Sequence, residues 1–268
     1  TLLFFFVGIN SLNTFQIFLL FFLLNLLLAF ELADKLTLKS EIDIASKVQN
    51  GLVPNSPPKH EVYDIAIHYE PAKIVSGDYF DFISTNNNDM YYFIGDISGK
   101  GMSAALFMVQ VRSIIHSLVN LCNSPKDILI KLKEIFSQDL KPGTFLTIVS
   151  ALIKNDGSIL ISRAGHNTIY YYKKQTNEIE VLFPKGLAIG FNDKGIFASS
   201  LEEISVNPTE GDIIIFYTDG ITEAMNQKNE QFGESRFKEE IIKNANKSVD
   251  EIKDRIIRSI IRFRGNCI

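Results

Sequence analysis

The chain has 268 residues, 46% of them apolar, and a formal net charge of −4, enough for one large domain with a sizeable core and an appendage. Its 27 basic residues are scattered and form no stripe, which excludes nucleic acid as a partner on electrostatic grounds. Cys122 and Cys267 have no paired spacing, which excludes a disulfide framework and a thiolate zinc site, so any metal here needs oxygen ligands.

The sequence opens at Thr1, not Met, inside an apolar run, and reads as a fragment of something longer at that end. Residues 2–6 and 15–30 are almost wholly Leu, Phe and Ile, broken by Asn10, Asn13, Gln16 and Asn25. A spanning helix needs roughly 20 apolar residues, and residues 15–33 nearly supply them. A buried core helix or a signal-peptide core gives a similar reading. Neither a basic leader nor a small-residue cleavage site is visible, and a soluble core helix is rarely apolar on every face. Residues 1–31 are therefore expected to be a transmembrane segment, with 2–8 as the tail of a preceding span and 10–13 as a short turn. Lys35, Lys39 and Lys47 follow it, so the expected location is the cell membrane with the remaining domain cytoplasmic.

Residues 32–53 read as an amphipathic linker helix, with Leu38, Ile42, Ala45, Val48 and Leu52 at three- and four-residue intervals. Such a helix either pairs with a second copy in a parallel homodimer or packs on its own domain. Pro54, Pro57 and Pro58 end it, and residues 54–268 form the next domain. Strand patterns fall at 63–69, 90–96, 145–153, 158–162, 169–172 and 212–217, and helical patterns at 102–120, 125–138, 234–244 and 249–263. Asn155-Asp156-Gly157 is hairpin chemistry, so the sheet is antiparallel and the class α+β, with packed sheets and helices outside.

Three segments place an aspartate beside glycine at a strand end. They are Ser76-Gly77-Asp78-Tyr79-Phe80-Asp81, Gly95-Asp96-Ile97-Ser98-Gly99-Lys100-Gly101, and Tyr217-Thr218-Asp219-Gly220 with Glu223. Carboxylates converging from separate strands repel one another unless a cation lies between them, which suits a hard divalent metal. Each segment alone also reads as something plainer: Asp219-Gly220 as a turn, Asp78 and Asp81 as a solvated strand edge. A nucleotide-binding phosphate loop is excluded, because Ile94 occupies the leading glycine position and Gly101 follows the lysine.

Taken in order, these segments resemble the SpoIIE-type branch of the PPM phosphatases, the metal-dependent protein serine/threonine phosphatases. The resemblance also rests on Ala45-Ser46-Lys47-Val48-Gln49 with Leu52-Val53-Pro54, on Ala104-Ala105-Leu106, and on Ala164-Gly165-His166-Asn167. Gly186-Leu187-Ala188-Ile189-Gly190, Gly211-Asp212 and Ile221-Thr222-Glu223-Ala224 complete it, over about residues 40–265. It implies an α-β-β-α sandwich of two mainly antiparallel sheets flanked by helices, here preceded by the N-terminal hydrophobic helix. It further implies two Mn2+ or Mg2+ ions, with Asp96 as the bridging carboxylate and the Ile97 carbonyl as a further ligand. Asp219 resembles a ligand of one metal, Asp78 resembles the carboxylate contributed by the first motif, and Asp81 is a further candidate. The implied reaction is attack of metal-activated water on phosphoserine or phosphothreonine, the usual substrate being a STAS-domain anti-sigma-factor antagonist in a partner-switching pathway.

His166 reads either as a general acid or as a turn-stabilising residue, and Lys100 either as a phosphate contact or as a surface cation. The family's C-terminal Asp-Asp-x-Thr segment does not appear before Ile268, so either the sequence is truncated or the site is one carboxylate short. The rival reading is accordingly a catalytically weak regulatory module with the same fold.

Overall fold

The computed structural model describes residues 13–71, 74–99, 101–138, 143–191 and 195–265. By internal contacts the chain divides into two units, Thr1–Val48 and Gln49–Ile268. Lys100, Cys267 and the expected span tail at residues 2–8 lie outside the described residues.

The apolar stretch and the amphipathic stretch form one continuous helix, α1 (Thr14–Leu52). Asn13 and Gln16 start it as a reciprocal cap: the Gln16 amide donates to Asn13 Oδ1 at 3.0 Å, and the Asn13 amide donates to Gln16 Oε1 at 3.1 Å. Asn25 Nδ2 donates to the Phe21 carbonyl (2.8 Å) and Thr37 Oγ1 to the Ala33 carbonyl (3.0 Å), so these polar side chains are satisfied by their own helix. The helix is long and apolar enough to cross a membrane, and none of its apolar window is buried.

In the second unit the chain forms β1 (Tyr79–Ser84), β2 (Met90–Ile97), α2 (Met102–Leu118), α3 (Pro125–Phe136), β3 (Leu146–Ile153) and β4 (Ile159–Ala164). It continues through β5 (Ile169–Lys173), β6 (Glu178–Leu182), α4 (Phe197–Ser200), β7 (Glu203–Val206) and β8 (Ile213–Ile215). The last elements are α5 (Asp219–Thr222), α6 (Gly233–Asn244) and α7 (Val249–Arg264). One sheet has the order β1-β2-β3-β4-β7 and the other β6-β5-β8, with every pairing antiparallel.

Alternation along the strands explains the layers. On β3, Leu146, Ile148 and Leu152 enter a core with Met108, Val111 and Ile115 of α2 and Ile128, Leu129 and Leu132 of α3. The intervening Val149, Ala151 and Ile153 enter a second core with Ile169, Tyr171 and Leu182 of the other sheet. Tyr170 and Tyr172 of β5 point the opposite way, into a third core with Phe237, Ile241, Ile252, Ile256 and Ile260 of α6 and α7. Three cores separate four layers, giving the α-β-β-α sandwich expected from the sequence.

The β3–β4 hairpin turns at Gly157 (φ +82°), where Lys154 and Ser158 close the ladder at 2.9 Å. Residues 63–69 form no strand. They run half-buried, held through side chains: the Tyr63 hydroxyl donates to the Gly157 carbonyl, and the Tyr69 ring packs on Phe80 at 5.5 Å.

Candidate active site

Period-2 alternation aims Asp96. On β2, Tyr91, Phe93 and Ile97 face the helices, whereas Tyr92 and Ile94 face the opposite sheet, and Asp96 continues that second row at the strand's C-terminal end. The register pairs Tyr79 with Gly95, so Asp78, just before β1, lies beside Asp96. Asp219 comes from the other sheet, as the first residue of α5 shortly after β8, with Thr218 at the N-cap. Asp78 and Asp96 are half-buried and Asp219 is exposed, so this end of the sandwich is open to solvent.

The three carboxylates sense one another. Burial first, then the charges of Asp78 and Asp219, push Asp96 from the ordinary carboxylate range up to about 7, against a backbone interaction at Ile97 that favours the anion. Asp78 is raised by burial, pulled down by the Ser76 hydroxyl and raised by Asp219. Ser76 Oγ donates to Asp78 Oδ2 at 3.0 Å and accepts from the Asp78 amide at 3.1 Å. Ser76 is in turn fixed by Gln49, whose buried amide donates to the Ser76 carbonyl (2.7 Å) and accepts from its N–H (3.1 Å).

Gly77 is the close-approach position. A Cβ there meets the Ile97 carbonyl oxygen at 2.7 Å, Ala104 Cβ at 3.2 Å and Asp96 Oδ1 at 3.3 Å. The loop therefore lies directly against the Asp96 carboxylate and the Ile97 carbonyl, two oxygens suited to a hard cation. Gly77→Ala is expected to lower divalent-metal affinity at least about tenfold, with a stability loss of about 1–3 kcal/mol from overpacking. Calorimetric Mn2+ titration and thermal melting check this, and unchanged metal affinity contradicts it.

Among the described residues, no three acidic, histidine or cysteine side chains stand close enough to form a ready-made metal cage. The donor set still fits magnesium or manganese, which take one or two carboxylates and complete their shell with waters and carbonyls. Oxygen donors, mutual carboxylate repulsion and the Gly77 cradle are the observations that support the fit.

Asp81 lies apart from this group. It shares the helix-facing row of β1 with Tyr79 and is buried against α2, accepting from Arg112 Nε at 3.4 Å and meeting His116 Nε2 at 2.7 Å. The Phe82 amide and the Tyr79 hydroxyl also donate to it, at 2.9 and 3.3 Å. Its carboxylate locks β1 to α2 and so steadies the strand that Asp78 leads into.

His166 is 5% exposed, with Nδ1 2.9 Å from Thr147 Oγ1. Burial lowers its pKa to about 4, the Tyr217 backbone opposing and Arg163 assisting that fall. The ring is neutral at pH 7, which removes it as a proton donor to a leaving group. Its effect on stability has a definite sign. The unfolded chain takes up this proton below about pH 6.5 and the folded one only near 4, so stability is lost as pH falls through that window, by about 3 kcal/mol. Asp96 acts oppositely: the folded protein keeps its proton up to about 7, so its contribution is lost as pH rises from about 4 to 7. Metal-free Asp96→Asn is therefore expected to lose more stability than the wild type on acidification from pH 7 to 4, followed by thermal melting. Superimposable pH profiles contradict this.

Comparison with known proteins gives a consistent result. The family model "Stage II sporulation protein E (SpoIIE)" matches residues 86–267. The chain is 33% identical to "Phosphoserine phosphatase RsbU" of Bacillus subtilis over 190 residues, covering 69% of this chain and 54% of that protein. It spans about half the length of the curated relatives it matches. Among solved structures, the SiaA-PP2C domain of Pseudomonas aeruginosa superposes with a TM-score of 0.73 at 17% identity, covering 88% of this chain and 93% of that one. The phosphatase domain of SpoIIE from Bacillus subtilis, with a fragment of its regulatory domain, gives 0.57 at 18% identity, covering 71% and 55%. These structures share the fold.

Proposed function

Because the chain belongs to the SpoIIE family, we propose that it is a metal-dependent protein phosphatase that hydrolyses phosphoserine or phosphothreonine on a signalling protein. The observation that carries this is the convergence of Asp78, Asp96 and Asp219 from two sheets onto one open end of the sandwich, with Asp96 pushed to about 7. Manganese or magnesium, two ions as the sequence reading expects, would be held by Asp96, Asp78, Asp219 and the Ile97 carbonyl. Bound there, the ions supply charge neutralisation for the phosphoryl group and a lowered pKa for the attacking water.

The chain's own residues do the positioning. Ser76 orients the Asp78 carboxylate, Gly77 lets the loop approach Asp96 and Ile97, and the exposed Asp219 turn leaves room for a phosphorylated protein surface. The relative named a phosphoserine phosphatase supports phosphoserine as a substrate. The proposed substrate is a STAS-domain anti-sigma-factor antagonist, in a partner-switching pathway. Residues 1–31 are proposed as the membrane segment, 32–53 as a linker helix able to pair in a homodimer, and 54–268 as a cytoplasmic phosphatase domain.

Phosphate release from a phosphoserine protein, a phosphothreonine peptide and a phosphotyrosine peptide tests the reading, with Mn2+ or Mg2+ and after chelation. Metal-dependent release from the first two alone is expected. Release that survives chelation, or that favours phosphotyrosine, sinks it.

A further inference from the structure

The carboxylates of the site come from two different sheets, so their spacing depends on whatever fixes one sheet end against the other. Asp96 stands opposite Thr147 in the β2–β3 register, and Thr147 Oγ1 lies 3.4 Å from the Asp96 carbonyl and 2.9 Å from His166 Nδ1. Thr147 Oγ1 donates to the Asp96 carbonyl and meets the His166 ring at Nδ1, so one hydroxyl joins the Asp96 strand to the histidine. Nε2 is buried with no hydrogen-bond partner within bonding distance. Tyr217 is two residues before Asp219. Two positions after His166, Thr168 Oγ1 meets the Tyr217 hydroxyl at 3.0 Å, tying the same loop to that residue.

The loop is itself rigidly seated. Arg163, nearly fully buried, donates to the His166 carbonyl at 2.5 Å and to the Pro184 carbonyl at 3.0 Å, and its guanidinium stacks on Phe183 at 3.8 Å. Gly165 (φ +70°) presses against Ala188, where a Cβ would stand 2.6 Å from the alanine Cβ, and its amide donates to the Gly186 carbonyl at 3.0 Å. His166 therefore sits on a fixed platform between the two carboxylate-bearing ends.

We propose that His166 is a positioning residue: bonded to Thr147 beside Asp96, on a loop that Thr168 ties to Tyr217, it sets the separation of Asp96 on one sheet from the Asp219 turn on the other. This rests on the reading of those aspartates as metal ligands. It gives the buried histidine a task other than proton transfer, and Thr147 a task its place in a β-strand does not announce.

The test uses the full chain carrying Thr147→Val, which keeps side-chain shape and removes the hydroxyl, and separately His166→Leu. Two readouts are taken: Mn2+ affinity by calorimetry, and amide hydrogen exchange read segment by segment with and without Mn2+. Each variant is expected to bind Mn2+ roughly 10- to 100-fold more weakly. Exchange should accelerate at residues 96–98 and 217–221 while β5 and α6 keep wild-type protection. The double variant should lose little beyond the worse single one, because both break the same tie. If His166→Leu does not fold, Thr147→Val alone decides. Wild-type Mn2+ affinity in the folded variants, or acceleration spread evenly over the domain, overturns the proposal. Should the wild type bind no Mn2+, the phosphatase reading falls, and local against uniform exchange still decides the positioning role.

Discussion

Asp96→Asn is expected to reduce metal-dependent phosphate release from a phosphoserine protein on the order of a thousandfold, the scale set by removing a central electrostatic group from an active site. Asn has the size and polarity of Asp but no charge, so the fold has no reason to suffer. The native carboxylate is held where burial and two neighbouring carboxylates disfavour its charge. Removing that charge relieves the repulsion, so the metal-free variant should melt at or above the wild-type temperature at pH 7 while being inactive. This combination separates a metal-ligand role from a structural one. A structural aspartate, such as the Arg112- and His116-bonded Asp81, destabilises when neutralised, because the Arg112 guanidinium loses its carboxylate partner. Retained activity, or a large drop in melting temperature without metal, contradicts the assignment.

The second large effect concerns α1. Phe15, Phe18, Phe21 and Phe22 are 74%, 70%, 65% and 63% exposed, a bare apolar surface that is unfavourable in water and of the kind that marks a membrane or protein contact. A lipid surround removes the difficulty, and Asn25, bonded to its own helix, costs less there than a free amide. Leu23→Lys with Leu27→Lys places two charges mid-helix, each opposing insertion by about 2.5–3.5 kcal/mol. The double variant is expected to leave the membrane fraction while phosphate release by the Gln49–Ile268 unit is unchanged. Sedimentation with lipid vesicles measures it, and a wild-type chain that stays in the supernatant with the variant contradicts the tether.

Helices α2, α3, α6 and α7 were legible from their 3.6-residue stripes, such as Ile252, Ile256 and Ile260 of α7, whereas α4 and α5 are four residues long and too short to show one. The β3–β4 hairpin was legible from Asn155-Asp156-Gly157. Residues 63–69 alternate like a strand, yet their contacts are made by side chains with no ladder beside them, and sequence periodicity does not distinguish the two. β6 and β7 escaped because Glu178, Glu180 and Glu203 give them polar, solvent-facing rows.

The candidate site was legible as a set of ordered motifs and not as individual residues. Asp78 and Asp81 look equivalent in the sequence. Only the start of β1 at Tyr79, which fixes the facing of each, sends Asp81 to the helices and leaves Asp78 at the open end. The Gln49–Ser76 pair spans 27 positions and involves backbone atoms, so nothing in the composition of either segment signals it. The Thr147–His166 contact is of the same kind: strand register, not motif spacing, brings Thr147 opposite Asp96.

The most direct measurement is phosphate release from a phosphoserine protein by the full chain in lipid vesicles, titrated with Mn2+ and then with a chelator. The account predicts release that rises with metal, disappears on chelation and returns when metal is restored. Release indifferent to the chelator, or its absence at saturating Mn2+ with the metal demonstrably bound, contradicts a phosphatase built on Asp78, Asp96 and Asp219.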